Sequence, residues 1–394
     1  MEQLKKRVLG RAWTETDLRR GLLACWGCVF CTEACPFYFE SGRHTDIPGG
    51  KFMAYRHMAH WNLTPDRRLQ EMICQCTTCG KCEILCRVGI EIPRLVELLR
   101  RDLYKKHNMP LLKKHEKALG SIRENMNPYS EPREKRFASL EEPSFEPAEY
   151  LYFVGCTSAF RTTGIAKATW NILRKLGVDI SLMNDEVCCG SVLLRIGLVE
   201  EAKKLAMENV KNIRGSKAKA VITSCAGCYH TLLLDYPELL GKPRLWEELN
   251  VKVLHSSEIL NELISNRHLQ PNMEGKEVLV TYHDPCYIGR HCGLYEEPRA
   301  VINSISGVKL VEMLPNVREE ANCCGAGGGG NVQLAFTDES LKIAKRRIRE
   351  AKETGAQYLI STCPFCMLQL GESAKDEEIT VLDLTEFLEQ TGCI

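Results

Sequence analysis

The second half of the chain carries one pattern twice. Leu151-Tyr-Phe-Val-Gly-Cys156 is matched by Val278-Leu-Val-Thr-Tyr-His-Asp-Pro-Cys286, and Val187-Cys-Cys-Gly190 by Asn322-Cys-Cys-Gly325. Ala220-Val-Ile-Thr-Ser-Cys-Ala-Gly-Cys228 is matched by Tyr358-Leu-Ile-Ser-Thr-Cys-Pro-Phe-Cys366, and Val253-Leu-His-Ser-Ser-Glu258 by Val381-Leu-Asp-Leu-Thr-Glu386. A repeat of this length commits the chain to two copies of one supersecondary module. Short apolar runs alternate with amphipathic stretches, the pattern of α/β units. We therefore expect α/β modules over 149–270 and 271–394. In each, the first and last cysteines follow a β-rich run. That places them at the carboxyl ends of parallel strands, where α/β folds hold ligands.

The chain has 21 cysteines in 394 residues. The odd count, the length and the lack of a signal-like N-terminus argue against a disulfide scaffold. Tight grouping suits metal ligation in a reducing, cytoplasmic compartment. No apolar run approaches a membrane span. The formal net charge is +1, which gives no global attraction to nucleic acid.

Residues 1–108 contain two runs with C-x2-C-x2-C-x3-C spacing: Cys25, Cys28, Cys31, Cys35-Pro36, and Cys76, Cys79, Cys82, Cys86. Three thiolates two residues apart can wrap one 4Fe–4S cube, while the fourth reaches the other cube. This logic gives Cys25, Cys28, Cys31 and Cys86 to cluster 1, and Cys76, Cys79, Cys82 and Cys35 to cluster 2. Zinc prefers four ligands in two separated pairs and fits poorly. The expectation is a mainly α, ferredoxin-like domain with two cubane clusters. It includes a helix over Ile92 to Tyr104 with Leu95, Leu98, Leu99 and Leu103 inside. Residues 109–148 lack cysteine, are charged, and contain Pro128, Pro132, Pro143 and Pro147; they read as a linker or irregular wrap.

Each module supplies five thiols: Cys156, Cys188, Cys189, Cys225 and Cys228 in the first, and Cys286, Cys323, Cys324, Cys363 and Cys366 in the second. A zinc site or plain cube needs four. Either one thiol per module is spare, or the cluster is not an ordinary cube.

This arrangement resembles the catalytic subunits of heterodisulfide reductases, in their single-chain form with a ferredoxin run fused to twin cysteine-rich CCG domains. The residues carrying the likeness are His283-Asp-Pro-Cys286, Gly289-Arg290, Tyr295, Pro298-Arg299 and Cys323-Cys-Gly-Ala-Gly-Gly-Gly329. It is also similar to iron–sulfur subunits of sulfate reducers and of glycolate and lactate oxidases. The resemblance implies one or two non-cubane 4Fe–4S clusters that cleave or form a disulfide. It implies two one-electron deliveries and release of thiolates, with the ten module cysteines at the reaction site. The implied partners are a thiol or disulfide substrate and other redox subunits: a flavoprotein, a hydrogenase or dehydrogenase, or a membrane cytochrome. Through such a partner the chain would sit peripheral to a membrane. The rival reading is a non-catalytic electron-transfer subunit of a flavin- or quinone-linked dehydrogenase; a weaker one is a structural metal-binding or assembly factor.

Gly325 to Gly330 formally matches G-x-G-x-x-G, but it follows a cysteine pair rather than a strand. No flavin or nucleotide site is expected. Gly190, Gly325 and Gly327 are read as backbone contacts to the clusters. His283 is a candidate proton donor, with packing roles the alternative for it, His230 and His255. Arg161, Arg290 and His291 are candidate anion binders or surface residues. Cys74, Cys292 and Cys393 receive no role. Lys342 to Arg349 reads as the solvated face of a helix whose inner side carries Leu341, Ile343, Ala344 and Ile348.

Overall fold

The computed structural model describes residues 14–266 and 277–390; Cys393 lies outside them. Strands β1 (Tyr150–Tyr152), β2 (Ile180–Leu182), β3 (Ala220–Thr223) and β4 (Lys252–His255) form one sheet in the order β2-β1-β3-β4. Strands β5 (Val278–Tyr282), β6 (Val308–Leu310), β7 (Tyr358–Ser361) and β8 (Thr380–Asp383) repeat that order as β6-β5-β7-β8. All pairings are parallel, with Tyr150 opposite Ala220 and Val280 opposite Tyr358. In each sheet the chain leaves the first strand toward one edge and returns on its other side. The switch point between β1 and β3, or β5 and β7, opens a crevice at the carboxyl ends.

The modules are not separate bodies. The helix Leu384–Gln390 of the second packs on Thr163–Lys175 of the first, and Ser256–Ser265 of the first packs on Glu296–Asn303 of the second. Ile172 and Leu260 thereby share an apolar core with Val280, Val301 and Phe387. Each module completes its partner's core, as two halves related by a pseudo-twofold must.

The N-terminal part is helical. The helix Ile92–Lys105 starts with proline in its first turn and buries Leu95, Leu98, Leu99 and Leu103 as one stripe. That stripe packs with Leu18, Phe52, Tyr55 and Ile73 from neighbouring helices. The stretch 109–148 is more ordered than a linker. It contains the helix Lys113–Asn125, which buries His115, Ala118, Leu119 and Ile122 at helical spacing. His115 Nε2 donates to the Asn331 carbonyl at 2.9 Å, tying this helix to the second module.

Candidate redox site: four cysteine groups in contact

The Cys25–Cys31 loop packs beside the helix Pro48–His60, so that Cys25 and Cys31 both approach Gly49. Burial, with Cys25 and Cys28 nearby, pushes the Cys31 thiol up. Cys86 borders the same apolar group as Cys25 and Cys31. Cys28 is the one exposed cysteine among the described residues. Its sequence neighbours Trp26 (84% exposed), Val29 and Phe30 are exposed too, with the Arg87 guanidinium over the Phe30 ring at 5.1 Å.

Cys35, Cys76, Cys79 and Cys82 line a second pocket with Pro36, Thr77 and Gly80. The grouping crosses the two sequence runs, as the ligand-exchange logic requires. Burial pushes the Cys35 thiol up to about 12. The Arg100 side chain is fully buried and donates to the carbonyls of Ile73, Cys74 and Cys76, which fixes the loop carrying Cys76. A further bond from Arg100 to the Arg195 carbonyl ties that loop to the first module.

The module cysteines gather as two groups of five. Cys156 and Cys286 lie just beyond β1 and β5, and Cys225 and Cys363 just beyond β3 and β7. These are the two switch points. Within each group the vicinal pair divides its contacts. Cys188 faces Cys156, whereas Cys189 Sγ lies 3.4 Å from Cys228 Sγ. Cys323 faces Cys286, whereas Cys324 Sγ lies 3.3 Å from Cys366 Sγ. The glycine after each pair has positive φ, and its N–H donates to the first sulfur: Gly190 to Cys188 at 3.4 Å, Gly325 to Cys323 at 3.3 Å. Gly327 lines the pocket of the second module's cysteines, and a side chain there would collide with Asn331 and Val332.

The groups are linked. The Cys79 thiol lies beside Cys323, which raises its pKa, and this joins the second N-terminal group to the second module. Gly227 of the first module lines the pocket that holds Cys286, Cys323, Cys324, Cys363 and Cys366.

Side chains around the thiols correct several expectations. His283 is buried, and Arg347 Nε donates to its Nδ1 at 3.2 Å. Burial and Arg347 push its pKa to about 3, so the imidazole is neutral at physiological pH. One of its ring nitrogens lies within 4.8 Å of the Cys324 and Cys366 sulfurs. Arg347 itself lies within the segment read as a solvated helix face, yet it is fully buried. His255 caps the helix Ser256–Ser265. His230 pairs with Asp235 at 3.2 Å and Arg195 at 3.3 Å. Arg290 spends its donors on the carbonyls of Cys79, Glu319 and Ala321, and His291 bonds the Thr78 carbonyl. Both staple the N-terminal part to the second module instead of awaiting an anion. Arg161 pairs with Glu131 and stacks on Tyr129.

Two residues escaped sequence reasoning. Arg136, from the cysteine-free stretch, directs both terminal nitrogens at Cys156 Sγ, at 3.6 and 3.7 Å. Glu186, two residues before Cys188, receives Arg136 at 2.7 Å and the N–H groups of Val154 and Gly155 at 2.9 Å. In the second module, Arg299 holds Asp284 and Glu312, and its donors go to oxygen.

The donor chemistry fits iron–sulfur clusters. Soft sulfur ligands converge in four groups, and the 20 described cysteines are all free thiols. Fold and site together define an iron–sulfur protein: a helical dicluster part joined to twin cysteine-rich α/β modules. Known proteins agree. The family profile for a 4Fe-4S dicluster domain matches residues 21–90, and that for the cysteine-rich CCG domain matches 150–233 and 280–371. One subunit of the dihydromethanophenazine:CoB–CoM heterodisulfide reductase of Methanosarcina acetivorans is 36% identical, over 93% of each chain. One subunit of the fumarate reductase (CoM/CoB) of Methanothermobacter marburgensis is 30% identical, over 98% of this chain and 74% of its own. The EtfAB:quinone oxidoreductase of Syntrophomonas wolfei is 28% identical, over 81% of this chain and 46% of its own. A crystal structure of a hypothetical protein from Helicobacter pylori shares the fold, with a TM-score of 0.61 over 99% of this chain and 74% of its own, at 12% identity. The chain belongs to the family of that Methanosarcina heterodisulfide reductase subunit and is an iron–sulfur oxidoreductase subunit of the same type. Among the described residues no helix is long and apolar enough to cross a membrane.

Proposed function

We propose that the chain reduces a disulfide to two thiols, or runs the reverse reaction, within a larger redox complex. The observation that carries this reading is the division of each vicinal pair between two halves of a five-thiol group. A plain relay cube uses four thiolates and would leave one idle. Cys25, Cys28, Cys31 and Cys86 would hold one cubane cluster, and Cys35, Cys76, Cys79 and Cys82 another. The two groups of five would hold non-cubane clusters. When bound, such clusters supply one-electron steps and a soft Lewis acid for sulfur.

The chain's own residues do the rest. The exposed edge at Cys28, set in an apolar face, suits electron exchange with a redox partner, whether flavoprotein or cytochrome. The Cys79–Cys323 contact carries the path into the second module. Arg100, Arg290 and Lys81 hold the interface in register; Lys81 Nζ donates to Asn322, next to Cys323, at 2.7 Å. Burial of the module thiols keeps water from the reacting sulfur. Two electrons and two protons convert one disulfide into two thiols, so the path must deliver twice per turnover. The dithiol–disulfide pair of coenzymes M and B is the substrate class that the Methanosarcina relative suggests.

The test is anaerobic titration of the iron-loaded protein with coenzyme M or coenzyme B thiol under oxidising conditions. A thiol-dependent paramagnetic signal that is lost in Cys324→Ser supports the proposal. A spectrum indifferent to thiol makes the chain an electron relay.

A further inference from the structure

The two modules repeat in sequence and topology but differ in what faces their first cysteine. We infer that Arg136 is a potential-setting residue, making the first module's cluster easier to reduce than the second's. This rests on the cluster reading above and specifies how its two five-thiol groups divide the work.

Arg136 is 1% exposed, and Glu186 is fully buried. Both terminal nitrogens of the guanidinium lie within hydrogen-bond distance of Cys156 Sγ. Glu186 does not simply cancel this charge, because its carboxylate is also shared with the N–H groups of Val154 and Gly155. Those bonds hold the loop that presents Cys156. The second module stabilises its corresponding loop differently. Arg299 binds Asp284 through both terminal nitrogens, and the donors of Arg290 end on backbone carbonyls. A permanently charged donor at a ligand sulfur draws electron density from the metal centre and favours the state carrying one more electron. Near Cys286 the charged donors are committed to oxygen, so the Arg290 charge reaches that sulfur through space and without a direct hydrogen bond.

The consequence follows from the route. Electrons arriving through Cys79 and Cys323 enter the second module first. A more easily reduced first module draws the first electron onward, leaving the second module free to accept the next. Two single electrons are thus held within one protein until the disulfide takes both. Arg136 lies outside the segments matched by either family profile. The stretch that joins the two parts of the chain therefore also supplies a charge to the site.

The experiment is a potentiometric titration of the anaerobic, iron-loaded full chain followed by paramagnetic resonance. The first module's signal is identified as the one lost in Cys189→Ser. Arg136→Lys keeps the charge but not the two-pronged contact. Arg136→Met with Glu186→Gln removes the pair without leaving a buried carboxylate unpaired. At the potential where the wild-type first-module cluster is half reduced, the double variant should show its reduced-to-oxidised ratio lowered about tenfold, the scale of one charge-assisted hydrogen bond. Arg136→Lys should fall between, with iron content and the other clusters unchanged. Wild-type potentials in both variants at full iron content would overturn the inference. Loss of first-module iron in the double variant, with Arg136→Lys titrating as wild type, would reduce Arg136 to a structural pin and also overturn it. A wild-type protein lacking the Cys189-dependent signal would instead remove the cluster reading itself.

Discussion

Cys323 stands beside Cys79 and raises its thiol pKa, although one belongs to a ferredoxin-type run and the other to the vicinal pair of the second module. If each ligates its own cluster, as proposed, the two neighbouring sulfurs give an electron a short bridge. The helical part therefore docks its second cysteine group on the second module, which breaks the pseudo-twofold that relates the modules. Cys79→Ala should cut electron delivery to both modules while leaving their iron in place. Cluster reduction by a slow external donor, followed by rapid-freeze spectroscopy, checks this. Loss of the thiol-dependent signal under direct chemical oxidation would show that the modules depend on Cys79 for assembly.

The vicinal pairs give a second expectation. Cys189 and Cys324 each face the C-x2-C cysteine of their own module, while Cys188 and Cys323 face the first cysteine. Removing the second member should leave four thiols with one side of the group unsupported. Cys189→Ser and Cys324→Ser should each lose iron from one module and abolish disulfide turnover. Iron analysis and turnover with an artificial electron donor measure both; silent variants would make those cysteines bystanders.

Gly325 and Gly190 should not tolerate alanine equally. Both sit at positive φ, which costs an L-residue about 1–2 kcal/mol. At Gly325 an added Cβ would also come within 2.5 Å of the Ser340 carbonyl, whereas at Gly190 the nearest atom is 3.4 Å away. Gly325→Ala should lower thermal stability and iron occupancy more than Gly190→Ala. Parallel thermal melts and iron assays distinguish them.

Acid should undock the helix Lys113–Asn125. His115 is fully buried, and burial pushes its pKa down to about 4. The unfolded chain binds a proton near pH ~6.5, so it takes up more protons than the folded chain between about pH 6.5 and 4. The contribution of the neutral imidazole is complete above about 6.5 and is lost as pH falls through that window. Denaturant titrations across that window should show a shallower pH dependence in His115→Gln, whose side chain can still donate toward Asn331.

The thiol groups were legible because short-range spacing dictates them. Three cysteines two residues apart are held close together, and a duplicated strand–cysteine pattern places its sulfurs at equivalent strand ends. The proposed exchange of Cys35 and Cys86 rests on the same local logic, and Cys35 does lie with Cys76, Cys79 and Cys82. The helix at Lys113–Asn125 was hidden because its buried face, His115, Ala118, Leu119 and Ile122, is interleaved with Lys and Glu. Arg136 and Arg347 were hidden for a different reason. Each lies among exposed charges in sequence, and only tertiary packing selects the one that turns inward. His283 stood out in the sequence beside a cysteine motif, but its protonation did not, because burial and then Arg347 lower its pKa.

Four separate groups of cysteines are each expected to hold a cluster. Iron determination on the anaerobically purified chain, with Mössbauer spectroscopy on the same sample, tests this expectation most directly. Four clusters of four irons predict about 16 irons per chain, with two environments unlike ordinary cubes. A value of about 8, or zinc in place of iron, would contradict the account.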